Sequence, residues 1–156
     1  MCEPAPGEMT LDEISRSEQV LVFAWRMLVA GRRQCPALHA ELAAYAGGET
    51  HQVLAGLGVV LMTLGQGSRR PVSVRHPGCA VVTRDERNLL ALLAAAQSGD
   101  DDLLAARLRW TVRPDCQMPA LVVVQTFARL LDRIDLRLPA PDGARPDVSP
   151  RQLALC

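Results

Sequence analysis

The stretch VLAGLGVVLMTL, residues 53–64, carries no charge and has two glycines inside it, Gly56 and Gly58. It reads as a helix that Thr50 can cap. An interior glycine costs a helix about 1 kcal/mol against alanine, and that cost is tolerable where another helix approaches closely. The stretch is therefore expected to form the middle of the fold. Neither this run nor Val20–Trp25 reaches the roughly 18 apolar residues of a membrane span, and no membrane partner is expected.

Toward the N-terminus, Gly47-Gly48 closes a short helix that Pro36 opens and that Leu38, Leu42 and Ala46 stripe. Before it, Val20, Leu21, Ala24, Met27, Leu28 and Gly31 recur at helical spacing, with Val22, Trp25 and Val29 on a second face. A helix that is apolar on more than one face is central to a core or packs on another subunit. Its start is marked by the capping box Ser15–Glu18 or the alternative Thr10–Glu13. Toward the C-terminus, the helical period breaks at Gly65–Pro71. Val72-Ser-Val74 then alternates apolar with polar, Cys79–Val82 is a second short extended run after a Pro-Gly turn, and the two read as short strands. Thr83–Glu86 is a further capping box, Asp100–Asp102 starts another helix, and Pro114 stops it. Pro119 opens the last, striped by Leu121, Val124, Ala128, Leu131 and Ile134.

The expectation is a mainly α fold of about six helices in a single compact domain, with one short β-hairpin near residues 72–82. Residues 1–14 read as an acidic flexible tail, 15–138 as the domain and 139–156 as a Pro-rich flexible tail. The length of 156 residues suits one domain burying roughly 70% of its unfolded surface. Leu and Ala, both strong helix formers, dominate the composition. All 17 basic residues are Arg. Arginine codons are G/C-rich and lysine codons A-rich, so this composition points to a high-GC bacterial genome. No charged, apolar and cleavage regions open the chain in signal-peptide order, and a cytoplasmic location is expected. Cysteines 2, 35, 79, 116 and 156 form no CxxC pair and read as free thiols.

Zero net charge hides a split. Residues 1–15 carry four acids and no Arg, residues 16–87 nine Arg against five acids, and the remainder eight of each. The order helix, helix, helix, hairpin over residues 17–83 resembles a winged-helix arrangement. That resemblance implies a third helix in the major groove, with Thr50, His51 and Gln52 reaching bases, and Arg69, Arg70 and Arg75 as wing residues gripping phosphates. The body of the third helix offers a base only Thr63, so nucleic acid is the alternative and not the favoured partner. A second alternative is a metal or haem site. Cys35 and His39 stand at i, i+4, and His76 and Cys79 flank the turn. If the hairpin folds back, these four make a tetrahedral zinc set, while His76 and Cys79 alone suit a haem-ligating turn.

Catalytic motifs are lacking: there is no P-loop, GxGxxG, HExxH or GxSxG. The paired acids lie at helix starts, where capping explains them, so the reading leans away from an enzyme and expects no cofactor. The favoured expectation is a regulatory or scaffolding protein acting by protein–protein contact. It would form a homodimer through its first and third helices. Phe23, Trp25 and Met27 supply its anchors, and Trp110 lies in an Arg-rich cluster of the kind enriched at interfaces.

Overall fold

Six α-helices build the described part of the chain, residues 6–140, in the computed structural model: α1 (Arg16–Val29), α2 (Pro36–Ala46), α3 (Thr50–Gly67), α4 (Arg84–Ser98), α5 (Asp101–Thr111) and α6 (Gln117–Arg133). The fold is mainly α. Local signals set most of the helix ends. Ser15 Oγ accepts the Glu18 N–H, and Glu18 returns the bond to the Ser15 N–H at 2.7 Å. Thr83 and Glu86 do the same for α4, Asp100 caps α5, and Pro36 occupies the first turn of α2. Gly99 ends α4 in the left-handed region at φ 72°, where a Cβ would be strained.

The stretch at 53–64 lies in the centre, and α3 extends three residues beyond each end of it. Val53, Leu54, Leu57, Val60 and Leu64 are buried, chiefly against α6. The two helices run antiparallel: Gly56 meets Phe127 and Leu130, while Gly67 meets Cys116. A Cβ on Gly56 would sit 2.7 Å from Phe127 Cδ2, so this glycine allows the close approach. Gly58 meets nothing within 4 Å, and its expected packing reason is absent. On its other side α6 packs against α4 and α5, and α1 fills the space among α2, α3 and α4.

Three expectations are corrected. The first helix is apolar on several faces because this domain covers most of them: Trp25 and Met27 are buried and Phe23 packs half-buried against the core, while Val29 at its end is exposed. The hairpin near residues 72–82 keeps its turn, with the Cys79 N–H on the His76 carbonyl at 3.1 Å, but its two arms form no ladder. The β-bridges among the described residues are isolated, Thr10 with Val81 and Ser68 with Val112. Residues 9–14, read as part of a tail, are packed. Leu11 N–H donates to the Ala80 carbonyl and Val82 N–H to the Met9 carbonyl, both at 2.8 Å, and Ile14 is buried. Both capping boxes form in series, since the Thr10 N–H also reaches Glu13 at 2.7 Å. At the other end, Leu136 and Leu138 still pack on the core, and the tail expected over 139–156 lies outside the described residues from 141 onward.

Candidate functional site

Arg26 is the single charge between Glu18 and Arg32, and its side chain is 0% exposed. A buried guanidinium is tolerable only when its donors and its charge are met. Its Nε and Nη2 bond the two Glu86 carboxylate oxygens at 2.7 and 2.9 Å, Nη2 also reaches the Val81 carbonyl at 2.6 Å, and Nη1 donates to the Cys79 carbonyl. Glu86, equally buried, accepts the Thr83 N–H at 2.8 Å while it caps α4. Asp85 beside it accepts the Ser73 N–H at 2.7 Å and pairs with Arg70. Side chains thus satisfy the backbone of residues 73–83 where a strand ladder was expected. This is why the loop has a fixed shape without sheet structure.

That fixed loop forms one wall of a cleft of about 410 Å³, whose other walls are α1, the end of α3, the first half of α4 and the end of α5. Trp25, Leu61, Leu64, Val74, Leu89 and Leu92 line it with apolar surface. Its rim carries Arg70, Arg84, Asn88, Val29 and Trp110. Asn88 bonds the Thr111 hydroxyl at 2.9 Å, and Thr111 and Gly67 carbonyls accept from the Arg69 and Arg113 backbone, tying α5 to the loop. Trp110 is 87% exposed, and Val29 and Val72 beside the cleft are exposed as well. Arg70 is held by Asp85, whereas Arg84 and Arg109 make no ion pair among the described residues.

The four anchors proposed from sequence therefore separate. Phe23 and Met27 belong to the core, Trp25 reaches the cleft only from within, and Trp110 stands in the open. Of the base-reading set, Thr50 is buried and donates to the Gly47 carbonyl at 2.8 Å, a correction to its expected exposed role. His51 is exposed with its ring 5.5 Å from that of His39, and Gln52 accepts from Arg133 at 3.0 Å. Arg69, Arg70 and Arg75 are exposed on the loop. Arg70 and Arg75 share a shallow polar groove with Arg84 and Arg87, while Arg69 Nε is turned to the Arg109 carbonyl at 3.0 Å.

The proposed metal set does not assemble. His39 faces His51 and bonds the Arg33 carbonyl at 2.9 Å, Cys35 precedes α2 as its cap, His76 is exposed on the turn and Cys79 is buried beneath it. Among the described residues, no group of three or more His, Cys, Asp or Glu is placed to hold a metal ion. The acids considered for catalysis are engaged: Glu86 with Arg26, Asp85 with Arg70 and Ser73, and Asp100 with the start of α5. Among the described residues no helix is long and apolar enough to cross a membrane. Comparison of the chain with protein-family models, curated proteins and solved structures gives no match.

Sequence reasoning found the Thr83–Glu86 box but missed the Arg26–Glu86 junction. A signal was present, since a lone charge in a run of apolar residues has to be paired if its helix is buried on all sides. The partner could not be read, because it lies 60 positions away.

Proposed function

We propose that this protein acts by protein–protein contact, as a regulatory or scaffolding domain that docks a partner segment in the Trp110 cleft. The observation that carries the reading is Trp110, exposed at 87% beside an apolar cleft of about 410 Å³. Exposed aromatic side chains next to a concave apolar surface are the usual anchors of a binding site. The rim supplies the sign of the partner. Arg84 on the rim makes no ion pair among the described residues, and Arg109 is next to Trp110 in the sequence, so the fitting segment is amphipathic, with apolar anchors and acidic flanks.

A designed amphipathic helix with Leu on one face and Glu on the other is the probe, with its Leu/Lys twin as control. Tryptophan emission is expected to shift to shorter wavelength on titration with the Glu peptide and not with the Lys peptide. Trp110→Ala is expected to weaken binding by about tenfold or more, a hot-spot loss. Equal binding of both peptides, or an affinity indifferent to Trp110→Ala, sinks the proposal. Salt-sensitive retention of random duplex DNA that is lost on Arg69→Ala with Arg70→Ala would favour the nucleic-acid alternative instead.

A further inference from the structure

The Trp110 cleft does not end at its rim. Across Arg70, Arg84 and Asp85, which line both, it passes into the shallow groove of about 350 Å³ between residues 7–9, the 73–83 loop and the start of α4. The two halves differ in chemistry. Leu61, Leu64, Leu89 and Leu92 wall the cleft, whereas the groove gathers four arginines, Arg70, Arg75, Arg84 and Arg87, against two acids, Glu8 and Asp85. Asp85 is taken up by Arg70 and by the Ser73 N–H. Arg75, Arg84 and Arg87 are exposed and make no ion pair among the described residues. Helix stability does not account for them either. Arg84 opens α4 and Arg87 follows one turn later, at the end of the helix where the dipole disfavours positive charge. The groove is left with an excess of two positive charges in one concave place, which a dianion would balance.

Resting on the cleft reading above, we propose that this groove is a phosphate subsite: the segment docked in the Trp110 cleft carries a phosphoserine or phosphothreonine beside its apolar anchors, and the groove receives that group. A phosphate monoester brings a charge of about −1.5 to −2 at neutral pH and three strong acceptor oxygens. Guanidinium groups bond such oxygens in pairs. The residues divide the task. Arg75 and Arg87 line the groove and not the cleft, and hold the phosphate. Trp110 and the leucines line the cleft and not the groove, and hold the anchors. Arg84, common to both, sets where the phosphate must lie relative to the anchors. Docking then depends on the modification state of the partner. The mostly aliphatic cleft walls favour a peptide over a nucleic acid, whose bases bind by stacking on aromatic rings.

Calorimetry with the full chain and the Leu/Glu helix tests this. The helix is extended by Gly-Ser-Gly at one end or the other, with the serine phosphorylated or free. At one end or both, phosphorylation is expected to tighten binding by about tenfold or more. Arg75→Ala with Arg87→Ala should abolish that gain and leave the affinity of the free-serine peptide within about twofold. Arg16→Ala with Arg137→Ala, which removes the same charge elsewhere, should leave the gain intact. Trp110→Ala should weaken both peptides alike. Binding that depends on Trp110 but ignores phosphorylation at both ends overturns this proposal and spares the cleft reading; binding indifferent to Trp110 sinks the cleft reading and this one with it. A gain that survives Arg75→Ala with Arg87→Ala, or that two glutamates in place of the phosphoserine reproduce, also overturns it. So does random duplex DNA that binds more tightly than the phosphopeptide and is released by the same double substitution.

Discussion

Arg26 and Trp110 have exchanged the places that their side chains usually take. The arginine is wholly buried between α1, α4 and the loop, and the tryptophan is almost wholly exposed at the edge of the cleft. The two regions meet the same physical demand in opposite ways. At Arg26 the chain supplies every neighbour the charge needs: a carboxylate and two carbonyls held by a fixed loop. At Trp110 it leaves a large apolar ring in water and a cleft beside it. An inside charge fully satisfied by its own chain is architecture. An outside aromatic ring with nothing over it among the described residues is the feature on which the docking proposal rests.

The largest effect should come from breaking the satisfied region. Arg26→Ala leaves Glu86 buried and unpaired, with a cost of about 3–5 kcal/mol. The melting temperature is expected to fall on the order of 10 °C, as thermal unfolding followed by circular dichroism will report. Replacing both partners, Arg26→Met with Glu86→Leu, should cost less than either single truncation, since no orphaned charge remains. A double variant worse than both singles would mean that the pair contributes more than mutual neutralisation. A smaller effect is expected at the rim. Arg70→Ala removes an ion pair whose arginine is 58% exposed, and about 0–1 kcal/mol is at stake in denaturant unfolding. The smallest effect on stability belongs to Trp110→Ala, within ~0.5 kcal/mol of the parent. A much larger loss there would make Trp110 a packing residue and erase the contrast. A neutral result together with weakened peptide binding would sharpen it.

Much of the helical framework was legible because its signals are local. Pro36, the Ser15 and Thr83 capping boxes, Asp100 and Gly99 each act on the turn they begin or end, so a short window contains cause and effect. The hairpin failed for the complementary reason. Val72–Val74 alternates and Cys79–Val82 is a short apolar run, as strands can be, but neither pattern says who accepts the backbone N–H groups. Here Asp85 takes that of Ser73, and residues 9 and 80 exchange bonds with 82 and 11 from a segment read as a tail. The interface residues show the same limit. Periodicity counted the apolar faces of α1 correctly and could not tell that α2, α3, α4 and the loop cover them. Of that set, Trp110 alone remains an exposed anchor, and Met118 and Val122 on α6 are exposed outside the stripe that the sequence marked.

By itself, then, the sequence determined the mainly α class, the positions of most helix ends and the central place of the uncharged 53–64 stretch. Those follow from propensity, capping and a period of 3.6, which depend on neighbours a few residues apart. Only the tertiary structure decided which charges are inside, which aromatic rings are outside and which apolar faces remain uncovered. Burial is set by what packs opposite, and for Arg26 and Glu86, as for Gly56 and Phe127, the opposite residue is more than half a hundred positions along the chain.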